Sequence, residues 1–243
     1  MLVIALLIAT SCLFIQETVG LEALVALKTT DAVDIQALKN VPGVSSVYRV
    51  MPFYFWSPDE RGRELNHPWN YVVVGSGLKD GTAQDAMMSE VSGMDFVELF
   101  AGYKLSVPFG FGADKLNDII KKADPKHFVK RPMKPASPKP YCPTIDLKKG
   151  DKLKLIAFQR MGEKDAATKM ANELMLKIFP PLGVSYKYAG NVDSSRFWKL
   201  VSITDWVDTA TWCEYVQSQW AKDAGPMFAK AFNAVADALA VEV

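Results

Sequence analysis

The sequence predicts an α+β protein, two β-α-β-β-α-β repeats joined as an α+β barrel. Three observations predict it. Gly-Val-Ser-Ser-Val-Tyr at 43–48 returns as Gly-Val-Ser-Tyr-Lys-Tyr at 183–188, the elements around the two stretches run in the same order, and the strands are apolar on both faces. A strand with one wet face alternates apolar and polar residues, whereas a strand covered on both sides does not.

The 243 residues suffice for one large domain or two small ones. Residues 1–20 carry no Lys or Arg, and Leu2–Ile15 is almost wholly apolar. That run is shorter than the roughly 20 residues a transmembrane helix needs. It fits a signal peptide cut near Gly20, the alternative being a buried N-terminal strand or helix. A signal peptide implies a secreted protein or one of the secretory-pathway lumen, which N-terminal sequencing decides.

The first repeat spans 21–122. A β-rich run at 21–30 leads to a helix at 31–40 with Asp31 as N-cap, and Pro42–Gly43 breaks that helix. A long strand follows at 44–56, a polar hairpin loop at 57–68 and a return strand at 69–78, then a helix at 80–91 and a strand at 95–107. Residues 123–150 form a linker whose 123–144 portion holds six prolines and is therefore semi-rigid. The second repeat spans 151–243. It opens with a strand at 151–162 and a helix at 163–179 striped by Ala167, Met170, Leu174 and Ile178. Strands at 184–191 and 196–206 follow, then helices at 208–221 and 225–239, with a short closing strand in the last residues. Trp69 and Trp198 open the matching third strands, 26 and 15 residues after Gly43 and Gly183, so the first hairpin is longer by 11.

In 153–160, Leu153, Leu155 and Ala157 point one way and Ile156 and Phe158 the other; in 197–206, Phe197, Val201 and Ile203 oppose Trp198, Leu200 and Trp206. Such strands need cover on both sides. Helices cover one face of a β-α-β-β-α-β sheet, and the sister sheet of the same chain is the nearest cover for the other.

Composition excludes several functions. With 49% hydrophobic and 23% charged residues and a net charge of +1, the chain carries no electrostatic footprint for nucleic acid or an anionic membrane. Once the leader is removed, Cys142 and Cys213 remain, as one disulfide or as two thiols. Two histidines and no Cys-x-x-Cys leave no zinc or other metal site to expect, and Gly-Ser-Gly-Leu-Lys-Asp-Gly at 75–81 lacks the spacing of a phosphate loop.

The stretch RFWKLVSITDWVDTATWCEYVQSQWA, 196–221, resembles the Trp-ended strand and following helix of the antibiotic-biosynthesis-monooxygenase and NIPSNAP-like branches of the dimeric α+β barrel superfamily. The resemblance implies two ferredoxin-like units, and apolar, often aromatic or polyketide-like ligands held between sheet and helices. Some members bind haem, others oxidise or cyclise substrates without a cofactor, and others have no activity. In the chlorite dismutase-like branch a proximal His sits on a helix of the second unit, and no histidine follows His127 here. Haem-degrading relatives use Asn, Trp and His from separate elements; here the three types fall together in Asn-His-Pro-Trp-Asn at 66–70, which reads as a turn.

These readings converge on a secreted binding protein for an apolar small molecule (lipid-, pigment- or polyketide-like) held inside the barrel without a cofactor. Tyr48, Trp69, Tyr71, Tyr103, Tyr188, Trp198, Trp206 and Tyr215 are the candidate ligand-lining residues, each with core packing as its ordinary alternative. A carrier requires an enclosed cavity of about 300 Å³ or more. The alternative function is a cofactor-independent oxygenase or cyclase, with His67 and Arg196 as catalytic candidates, or else a non-catalytic structural or interaction module. Pairing into a homo-oligomer is left open.

Overall fold

The computed structural model describes residues 18–56, 69–108, 112–124, 147 and 151–243. Its first half runs β1 (Thr18–Thr29), α1 (Ile35–Asn40), β2 (Val44–Trp56), β3 (Tyr71–Leu78), α2 (Gly81–Ser92), β4 (Val97–Pro108) and α3 (Ala113–Lys121). The second runs β5 (Leu153–Met161), α4 (Lys164–Glu173), α5 (Phe179–Leu182), β6 (Ser185–Val192), β7 (Leu200–Trp206), α6 (Thr209–Val216), α7 (Gln219–Ala231) and β8 (Phe232–Glu242).

All eight strands close into one antiparallel barrel in the order β1-β3-β2-β8-β5-β7-β6-β4. Within it the first half reads β4-β1-β3-β2 and the second β8-β5-β7-β6, the same order twice. The halves also repeat backbone hydrogen bonds. Asn70 N donates to Leu27 O as Lys199 N does to Gln159 O, and Val50 N donates to Asn70 O as Val192 N does to Lys199 O. Gly183, at φ 64°, caps the helix before β6, and Gly43, at φ 89°, lies in the turn between the first helix and β2; both take the left-handed conformation that a side chain disfavours.

The two seams between the halves differ. β2 pairs with β8 from Tyr48↔Glu242 to Trp56↔Val235, whereas β4 pairs with β6 only at Leu105↔Val192 and Ser106↔Asn191. Beyond that short ladder, Asn117 of α3 takes the place of a strand. Its Nδ2 donates to Tyr186 O at 2.8 Å and its Oδ1 accepts from Tyr186 N at 2.7 Å, which covers the β6 edge.

Three of the expected helices differ from expectation, and α3 was not expected. The first helix starts at Ile35 with Asp34 as its cap, because the Asp34 carboxylate accepts from Ala37 N. The helix expected over 163–179 leaves α geometry at Leu174–Ile178, a π-helical turn, before α5. The largest difference lies at the C-terminus, where a helix was expected over 225–239. Helix α7 ends at Ala231, and β8 follows as an 11-residue strand. The alanines of Ala-Val-Ala-Asp-Ala-Leu-Ala favour helix locally, but pairing with both β2 and β5 overrides that preference.

Buried residues fall into layers on both sides of the sheet. Leu24, Val50, Val72, Ile156, Phe158, Trp198 and Ile203 fill the barrel, with Ala234, Ala236, Ala238 and Ala240 of β8 leaving room for the larger rings. Outside, one cluster centred on Leu27, Leu38 and Met87 lies under α1 and α2. Others, containing Phe179, Trp206 and Trp212 or Met170 and Ala224, lie under the helices of the second half. Among the described residues, no helix is long and apolar enough to cross a membrane. Cys213 is disulfide-bonded; Cys142 and most of the linker fall outside the described residues.

Candidate functional site

Because the strands alternate, the aromatic candidates divide between the two sides of the sheet. Tyr48, Trp69, Tyr103, Tyr188 and Trp198 belong to the barrel interior. Tyr71 lies in the outer cluster of the first half, and Trp206 and Tyr215 in that of the second. Arg196 is exposed in the turn between β6 and β7, and His67 lies outside the described residues. Inside, Tyr103 meets Phe158 with ring centroids 5.1 Å apart, and Phe158 meets Trp198 at 5.9 Å. These rings fill the space. A cavity of about 20 Å³ remains between Trp69, Tyr103, Phe158 and the β8 alanines, room for about one water molecule.

One mouth of the barrel is polar. There β1, β2, β5 and β6 begin and β3, β4, β7 and β8 end. Glu22, Ser46, Lys154, Asp205 and Glu242 each stand two residues from an inward-facing apolar residue (Leu24, Tyr48, Ile156, Ile203 and Ala240), so the pleat turns all five inward. Lys154, 8% exposed, approaches Asp205 Oδ1 at 2.6 Å and Glu242 Oε2 at 3.6 Å. Ser46 Oγ donates to Glu242 Oε1 at 2.9 Å. A buried ammonium paired in this way is held firmly, since removing one partner would strand the other. Glu22 and Lys154 hold equivalent places on the first strands of the two halves.

Glu22 differs from the other carboxylates. Burial pushes its carboxyl up to about 7, so near neutral pH it can take or give a proton. Gln84 Nε2 donates to the backbone carbonyls of Glu22 and Leu105, fixing the strand segment that carries the acid. Two phenols share its electrostatic environment. Tyr48 is pushed up to about 12, chiefly by burial and with further contributions from Glu242, Asp205 and Glu22. Tyr188, also buried, is raised first by burial and then by Glu22 and Asp193, and its hydroxyl has no hydrogen-bond partner. These are the final tyrosines of the two matching stretches. Both are neutral donors at physiological pH.

The sequence reading missed Glu22, Lys154, Asp205 and Glu242. The signal was their alternation: a charge in phase with the inward residues of a strand faces inward too, and Lys154 shares a face with Ile156 and Phe158. A second unusual acid lies across the sheet. Asp237 faces outward from β8 between Val235 and Leu239; its Oδ1 is cut off from water without a partner, and burial pushes the carboxyl up to about 7.

Among the described residues, Cys213 and Tyr215 do not suit a haem iron. The thiol of Cys213 is consumed by its disulfide, and burial holds Tyr215 far above the range in which a phenolate would form. Among the described residues, no group of His, Cys, Asp and Glu could hold a metal ion.

No protein-family model matches the chain, and no curated protein does. Among solved structures, a mutant chlorite dismutase from Candidatus Nitrospira defluvii aligns over 93% of this chain and 92% of its own, with TM-score 0.50 and 8% identity. A monooxygenase-like protein from Lactobacillus acidophilus aligns over 93% of this chain and 94% of its own, with TM-score 0.44 and 10% identity. At such identity the first likeness speaks for a shared α+β fold alone.

Proposed function

We propose that this chain is an internally duplicated α+β-barrel enzyme that takes a proton from an electron-rich small molecule at the polar mouth, as a cofactor-independent oxygenase or cyclase. The observation that carries this reading is Glu22, a carboxyl held near 7 in the company of the neutral phenols of Tyr48 and Tyr188. A base works best when its own pKa lies close to the working pH. Glu22 removes a proton from an acidic C–H or O–H, and a phenol donates to the oxygen on which negative charge gathers. The anion then closes on an internal electrophile or passes electrons to dioxygen. For a ring methylene the sum is R₂CH₂ + O₂ → R₂C=O + H₂O: one oxygen atom enters the carbonyl, the other leaves as water with both hydrogens, and the substrate supplies all the electrons.

A carrier of a large apolar molecule is less well supported, because the cavity between Trp69, Tyr103, Phe158 and the β8 alanines holds about 20 Å³ rather than the hundreds a ligand would fill. Secretion after loss of residues 1–20 stays part of the proposal.

The test is oxygen uptake and product formation by purified protein, with chelator present, on a panel of enolisable ketones and phenols. The proposal expects turnover of at least one, with kcat/KM rising through a single ionisation near pH 7 as Glu22 loses its proton. Activity that rises as the pH falls below 7 would contradict it.

A further inference from the structure

We infer that the open edge of β4 is where two copies of this chain pair, residues 99–103 of each forming an antiparallel ladder about Ala101. The two seams of the barrel correspond residue by residue. Val50 pairs with Ala240 on one, and its counterpart Val192 pairs with Leu105 on the other. Past Val50, β2 continues and covers β8 from Phe53↔Ala238 to Trp56↔Val235. β6 stops at Val192, so the matching stretch of β4, residues 100–103, has no neighbouring strand on that side among the described residues.

The difference shows in burial and in backbone pairing. Val235 and Ala236 of β8 are 2% and 1% exposed, whereas Leu99 and Phe100 of β4 are 47% and 40% exposed. At the end of the short seam, Lys104 O accepts from Asp193 N and Lys104 N donates to Ser194 Oγ, both at 2.9 Å. The register of β4 on β1 is unbroken from Val107 back to Leu99. Gly102 and Phe100 therefore point their N–H and C=O groups to the same side as Lys104, where no strand of the described residues meets them.

Such an edge recruits a strand, and the sister repeat shows that an antiparallel strand fits the place. The occupant that suits it is the edge itself. Leu-Phe-Ala-Gly-Tyr at 99–103 carries none of the charges or prolines that guard an edge, and it is flanked by Glu98 and Lys104. Antiparallel pairing about Ala101 sets Phe100 opposite the partner's Gly102, and Glu98 level with the partner's Lys104, so opposite charges stand at each end. Gly102 has no side chain, and Phe100 Cζ lies 2.6 Å from where its Cβ would stand. Each ring thus leans along its strand towards the two-fold axis, where the two meet. The arrangement closes on itself: both edges are covered and none is left to draw in a third chain.

The test uses the full chain. Sedimentation and native mass spectrometry at about 50 μM should report a dimer. Phe100→Lys places a charge in the ladder at a position already exposed, and should return the chain to monomer. Cysteine pairs read the register. Non-hydrogen-bonded neighbours across an antiparallel ladder have Cα atoms about 4.5 Å apart, within disulfide reach. Ala101→Cys should therefore cross-link into a dimer on oxidation, about tenfold or more faster than Phe100→Cys, which faces glycine. A wild type that stays monomeric at that concentration overturns the inference and leaves the edge to a strand of another protein. A dimer that survives Phe100→Lys, or that cross-links as fast through Phe100→Cys as through Ala101→Cys, overturns it as well. None of these results touches the role of Glu22, which is read from turnover.

Discussion

Glu22→Gln is expected to lower turnover by about 10²–10⁴-fold while the barrel still folds. Glutamine keeps the shape of the side chain and removes only its capacity to hold a proton. The site is anchored by other contacts: Gln84 binds the backbone at Glu22 rather than its carboxyl, and the Lys154–Asp205–Glu242 group does not depend on it. The loss should therefore fall on kcat, with circular dichroism unchanged and the step in the pH profile near 7 abolished. Glu22→Asp should retain part of the rate with the base withdrawn by one methylene. A Gln variant turning over at the wild-type rate would remove Glu22 from the chemistry.

Asp237→Asn is expected to raise stability at pH 8 by on the order of 1–3 kcal/mol, with the gain shrinking toward pH 4. The sign follows from proton counts. Unfolded, Asp237 ionises near its ordinary value of about 4; folded, it keeps its proton up to about 7. Between those values the folded chain binds more protons, so wild-type stability falls as the pH rises, and above 7 the loss is complete. Asparagine does not titrate and escapes it. The residue as a whole is half-buried, which keeps the gain below the full value of the shift, but its Oδ1 is shut off from water. Urea midpoints at pH 4.5 and pH 8 decide the matter: parallel behaviour of variant and wild type would show that the buried carboxyl finds relief in the folded state.

What the sequence made legible was order and burial. The matching stretches around Gly43 and Gly183, the paired Trp69 and Trp198 and the doubly apolar strands all led to eight strands in one α+β arrangement. Two features stayed hidden because tertiary contacts decide them. β8 looks helical until β2 and β5 flank it, and α3 earns its place only by lending Asn117 to the edge of β6. The site was harder. Aromatic residues drew attention by size, yet Trp206 and Tyr215 serve the outer core, while the charges with the unusual settings stand at strand ends, where a lone Glu or Lys ordinarily faces water. Only the phase of the alternation, set by which face turns inward, separates Glu22 from a surface acid.

The most direct measurement is the ionisation of Glu22 itself, followed by carboxyl ¹³C NMR and assigned with Glu22→Gln. The account predicts a midpoint at about 7. A midpoint in the ordinary glutamate range, near 4.3, would mean that the mouth of the barrel is open to water and holds no base tuned for catalysis.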